Sequence, residues 1–166
     1  MTFKVISRTL LNDLGAQARQ SKRSRLHHNI HDSYDDPCQK LLNAVGTDSY
    51  IRPHRHALDP KDECLIAAKG LFALIVFSEA GEIERIEKFG TEKFFQDTSI
   101  VSLGVNLPAG TWHTVLALVP GSVLLEVKAG PFDPSAAKEM APWAPEEGSA
   151  EADAYLEHLH SVASSA

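Results

Sequence analysis

The chain has 166 residues, 43% of them apolar and 7% aromatic. That is material for one domain, able to bury roughly two thirds of its unfolded surface without needing a metal or a disulfide to fold. Its 16 Lys and Arg stand against 22 Asp and Glu, a formal net charge of -6, which disfavours a broad phosphate-binding face and sets nucleic acid and anionic membrane aside in favour of a small-molecule or protein partner.

In chain order, the opening "MTFKVISRTLLNDLG" interrupts its apolar residues with Arg8, Asn12 and Asp13. No secretory h-region is read there, no stretch elsewhere is long enough to span a bilayer, and a cytoplasmic location is expected. Between Ser7 and Gln20, Leu10, Leu11, Leu14 and Ala18 recur at spacings of three and four behind a Ser N-cap, which predicts an amphipathic helix. From His27 onward the grammar changes to short runs: "QKLLNAV", "SYIRPHRH", "CLIAAKG", "LFALIVFS", "EIERIEKF", "IVSLGVNL", "WHTVLALV" and "VLLEVKA". The breaks between them carry Gly, Pro and Asp, so these are predicted strands with turns. With no helices between them, an antiparallel barrel or jelly roll is expected rather than a parallel α/β fold. After Gly130 comes a Pro-rich segment whose Phe132, Met140 and Trp143 should pin onto the body, and then "EADAYLEHLHSV", read as a short or fraying helix. Cys38 and Cys64 are too few for a secreted disulfide framework and are expected as free thiols.

Two segments carry chemistry. In "RPHRH", strand alternation puts Tyr50, Arg52, His54 and His56 on one face, so two imidazoles could converge on one ion. Two wet surface histidines are the bland alternative. In "LPAGTWHTV", Pro108 and Gly110 build a turn and His113 enters an otherwise apolar strand on the face of Val115 and Ala117, where a buried imidazole needs a ligand or a hydrogen-bond partner. Other polar residues read two ways. Asn29 and His31 share a face and line the pocket or the surface. Arg52 orients an anionic substrate or forms a structural ion pair, and Glu126 faces the cavity or stands on its rim.

"HRH" with Glu63 and Gly70, followed by "PAGTWH", resembles the two cupin motifs, in which two His and a Glu of the first and one His of the second bind a divalent metal inside a small β-barrel. With "HNIHDSYDDPCQKLLNAVGTDSYIRPHRH" and "EVKAGPFDPSAAKEMAPWAPEEG" the likeness extends to the WbuC family of cupin-fold metalloproteins, over roughly residues 4 to 148. The resemblance implies a mainly β, cupin-type jelly-roll barrel over 25–130, preceded by a helical segment (1–24) packed on it and followed by a C-terminal extension (131–166) with a short helix. It implies His54, His56 and His113 as metal ligands with Glu63 as a fourth, although the spacer "ALDPKD" before Glu63 is longer than cupins usually have. The Asn that often follows the second-motif His has no equivalent here.

Such a ligand set suits Fe, Mn, Ni, Zn or Co, and supply rather than sequence selects among them. Tyr50, His31 and Glu126 are the candidate acid and base groups beside the ion, with Arg52 and Asn29 as candidate substrate contacts. The expected function is a metal-dependent enzyme (isomerase, epimerase or dioxygenase) acting on a small polar molecule. The suggestion of a sugar-derived substrate follows only from the association of WbuC proteins with O-antigen synthesis genes. A non-catalytic carbohydrate-binding or accessory cupin is the alternative, and a structural metal in an assembly unit is a third reading. Because cupins often pair through strand exchange or sheet packing, a homodimer is also an expectation.

Overall fold

The computed structural model describes residues 3–95, 100 and 102–166. Ten strands divide into two five-stranded antiparallel sheets flanked by two helices. The first sheet has the order β1 (Arg25–Asn29), β2 (Cys38–Val45), β9 (Ser122–Ala129), β4 (Glu63–Lys69) and β7 (Gly104–Leu107). The second runs β10 (Glu139–Met140), β3 (His54–Arg55), β8 (Trp112–Ala117), β5 (Leu71–Phe77) and β6 (Ile83–Gly90). The fold is therefore the expected mainly β jelly-roll arrangement of cupin type, with one correction: the sheets face each other as a sandwich and do not close into a hydrogen-bonded barrel.

Side-chain alternation produces four layers. Helix α1 (Arg8–Gln20), capped by the Ser7 Oγ that accepts from the Leu10 amide at 3.1 Å, lays Leu14 and Ala18 on Leu42, Ala44 and Val123 of the first sheet. The opposite face of that sheet, with Leu65, Ala67 and Leu124, meets Phe72, Leu74, Val115 and Ala117 of the second. The outer face of the second sheet, with Ala73, Ile75, Phe77, Trp112 and Leu116, is covered by helix α2 (Ala150–Ser165). Strand β5 is apolar at every position because it is buried on both sides. Between β4 and β5 the chain turns at Gly70 with φ +89, where a Cβ would come within 2.1 Å of Ser122 Oγ, so no other residue fits.

Three further expectations need revision. The C-terminal helix is neither short nor frayed: its 16 residues place Ala152, Leu156, Leu159 and Ala163 on one stripe against the second sheet. The predicted strand "SYIRPHRH" contracts to His54–Arg55, because Pro53 has no N–H and the preceding carbonyls bond elsewhere. Arg25 donates to Tyr50 O at 2.9 Å, Thr114 Oγ1 to Ile51 O at 2.6 Å, and the Ala141 amide to Pro53 O at 2.9 Å. Of "IVSLGVNL", Gly104–Leu107 is strand, and Val101 lies outside the described residues. Strands β1 and β10 were not foreseen. Each is a sheet edge held by a single neighbour, and β10 has only two residues.

The Pro-rich segment forms a strap that packs on the second sheet. Trp143 packs on Phe77 and Trp112 with ring centroids 5.0 and 6.2 Å apart, and Glu139 and Met140 pair with Arg55 and His54. Arg55 makes a bidentate pair with Glu139 at 2.9 and 3.0 Å, reaches Glu79 at 2.7 Å, and lies 4.3 Å over the Trp112 ring. That buttress fixes the backbone from which the two flanking histidines project the other way. Among the described residues, no helix is long and apolar enough to cross a membrane.

Candidate metal centre

His54 lies directly across the β3–β8 ladder from His113, and His56 follows β3. Their rings are 4.5 Å (His54–His113), 5.4 Å (His54–His56) and 5.9 Å (His56–His113) apart between centroids. All three residues are buried, and one ligand nitrogen from each falls within 4.8 Å of the other two. The turn before His113 is tied to the same place. Gly110, at φ +78, donates its amide to His56 O at 3.1 Å, and the Ala109 amide donates to Asp62 Oδ1 at 2.9 Å.

Hydrogen bonding fixes the orientation of the rings. Nδ1 of His54 is 2.9 Å from Arg52 O, Nδ1 of His113 is 2.9 Å from Thr111 O, and Nδ1 of His56 meets Ala137 O. A carbonyl oxygen only accepts, so each Nδ1 carries a hydrogen and Nε2 is the atom left to act as a ligand. His56 Nε2 is buried with no hydrogen-bond partner. Facing these nitrogens is Glu63, the first residue of β4, with Oε2 at 3.2 Å from His56 Nε2 and 3.5 Å from His113 Nε2. Burial opposes ionisation of Glu63, but His113, His56 and the Lys128 ammonium together hold its carboxyl well below the usual range. Burial, reinforced by the charge of Lys138, drives the His54 imidazole well below its ordinary value, so it is neutral.

A cation between the carboxylate and the imidazoles would satisfy the carboxylate oxygen and the ring nitrogens together. Three converging nitrogens, one of them orphaned, beside an anionic oxygen therefore fit a divalent transition metal. Glu63 lies against two of the histidines and is shared with Lys128, whose Nζ is 3.1 Å from Oε1.

A cavity of about 30 Å³ adjoins the cluster, lined on its polar side by His54, His113, Glu63, Glu126, Asn43 and Lys138. Leu65, Val115 and Leu124 form its apolar wall. Glu126 faces this space and is held by Asn43, whose Nδ2 donates to Oε1 at 2.8 Å. The other sequence candidates do not line the cavity. Tyr50 lies in the core under α2 and its hydroxyl donates to Pro145 O at 2.9 Å, with burial pushing its pKa upward. The Arg52 guanidinium donates to Ala141 O at 2.9 Å and approaches Glu146 at 3.9 Å, both on the strap. His31 is buried with Nδ1 against the Lys40 backbone at the β1–β2 edge, and Asn29 is exposed on β1. The contraction of β3 explains Tyr50 and Arg52, since face alternation holds only along a continuous strand.

Sequence reasoning missed Lys128, Asn43 and Lys138. The first two were legible: Lys128 alternates with Glu126 along β9, and Asn43 lies two residues from the inward Val45. Lys138 carried no signal, because it sits in the irregular strap.

Among solved structures, the chain resembles the protein SO0799 from Shewanella oneidensis at 15% identity over 83% of each chain, with a TM-score of 0.54. It resembles the conserved SPY1581 protein of unknown function from Streptococcus pyogenes at 13% identity over 80% of this chain and 92% of that one, with a TM-score of 0.50. Oxalate decarboxylase from Bacillus subtilis overlaps 70% of this chain and 31% of its own, at 15% identity and a TM-score of 0.48. At such identities the likeness is one of fold. No curated protein matches the chain. The family described as "Domain of unknown function (DUF6016)" matches residues 6–89, a span that holds His54, His56 and Glu63 and ends before His113. That span is half of the chain, and the chain belongs to this family.

Proposed function

We propose that this protein is a metal-dependent cupin enzyme, of the WbuC kind, that acts on a small polar substrate beside His54, His56, His113 and Glu63. The observation that carries the reading is the shared orientation of the three histidines, with every Nδ1 on a backbone carbonyl, Nε2 of His56 and His113 turned towards Glu63, and one nitrogen of each within 4.8 Å of the others. A bound divalent ion would supply Lewis acidity to a substrate oxygen. The chain's own contribution is Glu126, a carboxylate in the same cavity, oriented by Asn43 and placed to take or return a proton. The apolar wall of Leu65, Val115 and Leu124 limits water around that exchange.

Resemblance to the WbuC family supports a sugar-derived acid as substrate. The smallness of the cavity, about 30 Å³, favours a second reading, an accessory cupin that holds its ion without turnover. Elemental analysis of purified wild type beside His54→Ala and His113→Ala tests the site. One divalent ion per chain, lost in both variants, is expected, and a wild type that stays metal-free after reconstitution with Fe, Mn, Ni, Co and Zn overturns it. Glu126→Gln then separates the readings. An enzyme keeps its metal and loses turnover of a sugar-acid panel, whereas an accessory protein has no turnover to lose.

A further inference from the structure

Lys138 is unlike the other cations of this protein. It leaves the surface of the strap, where part of the residue is exposed, and lines the cavity beside the histidines. Its charge acts on His54, Glu63 and Glu126, and burial pulls its own pKa down. Lys128, its neighbour in this region, is neutralised by Glu63 at 3.1 Å. Lys138 has no hydrogen bond or ion pair among the described residues, so both Glu63 and Glu126 lie more than 4.0 Å away. An ammonium that lines the cavity with three unused donors is free to take an acceptor that enters from outside.

Charge balance points the same way. Around the cavity the carboxyl groups of Glu63 and Glu126 are matched in number by the ammonium groups of Lys128 and Lys138. A divalent ion would add two positive charges between the three imidazoles and Lys138, which an entering anion would offset. A cavity of about 30 Å³ has room for roughly two waters, the size of one carboxylate group.

We propose that the cavity is a carboxylate-binding site in which Lys138 pairs with the anion beside the histidine cluster, so that the substrate is presented by a carboxylate end. This deepens the metal-centre reading and rests on it. The residue preceding Lys138 takes part in the same arrangement, because Ala137 O accepts from His56 Nδ1. The strap that brings the lysine therefore also orients a ligand histidine.

The test is calorimetric titration of the zinc-loaded full chain with formate, and with formamide as the neutral probe of equal size. Wild type should bind formate and not formamide. Lys138→Met should weaken formate about ten- to a hundredfold, the loss of one charge-assisted hydrogen bond in a buried site, and Lys138→Arg should recover most of it. Zinc stoichiometry and melting temperature, measured on the same samples, should stay at wild-type values in both variants. Equal formate affinity in wild type and Lys138→Met, or no formate binding in wild type, overturns the carboxylate site. If wild type takes up none of Fe, Mn, Ni, Co and Zn, the metal-centre reading fails separately. The same titration on the metal-free chain then decides the role of Lys138, since it remains the unpaired cation of the cavity.

Discussion

Replacing Lys128 with Met removes the one fixed cation in contact with Glu63 among the described residues and leaves the aliphatic stem in place. The two side chains are 12% and 6% exposed and their charged atoms are 3.1 Å apart. At an effective dielectric constant near 20, charges at that separation attract by about 5 kcal/mol, and stranding one member of a buried pair costs about 3–5 kcal/mol in practice. For a chain of 166 residues that corresponds to a melting temperature lower by about 10 °C. The loss should be full in the presence of a chelator and much smaller with zinc, because a divalent ion beside Glu63 supplies the charge that Lys128 no longer does. Glu63 has a depressed pKa, so its stabilising contribution is present above the ordinary carboxylate range and is lost as the pH falls through the lowered value. The penalty of Lys128→Met should fade over the same acid range. Urea denaturation of both proteins, with chelator and with zinc, measures all of this. An equal loss in the two conditions, or a loss under about 1 kcal/mol with chelator, would refute the claim that Glu63 is an ionised member of a cation site.

Three other outcomes follow from particular contacts. Glu147 bridges Arg23 at 2.6 Å and Arg25 at 2.7 Å, and these pairs, outweighing burial, hold its pKa at about 2 against an ordinary 4.5. The stability difference between wild type and Glu147→Gln should be complete above pH 4.5 and vanish by about pH 2, read from denaturation at stepped pH; a difference independent of pH would sink it. Leu159→Ala, at a position with 0% exposure under the second sheet, should cost about 2–5 kcal/mol in urea denaturation, and a near-neutral result would mean that α2 does not dock there. Tyr50→Phe should lose about 1 kcal/mol with its bond to Pro145 O while metal content is unchanged; loss of metal from a folded Tyr50→Phe protein would return the hydroxyl to the site.

The histidine cluster was readable because its signals are local. Alternation over three residues sets His54 beside His56, and a Pro-Gly turn delivers His113 into a strand with one buried face. Tyr50 and Arg52 were misread by the same rule carried too far, across Pro53, ahead of which the strand does not extend. Lys138 could not be read at all. Its place in the cavity depends on where an irregular strap crosses the sandwich, and that is set by Trp143 on Phe77 and by the Arg55–Glu139 pair, contacts between residues far apart in the chain.

By itself, the amino-acid sequence determined the strand-rich class, the N-terminal helix, the free cysteines and the three histidines, because periodicity, turn chemistry and residue spacing act over a few neighbouring residues. Tertiary structure alone decided that the strands form two facing sheets, that α2 covers one of them, and that Lys138 reaches the cavity beside Glu63 and the imidazoles. Those outcomes depend on long-range pairing and on the packing of both faces of each sheet, which no local pattern encodes.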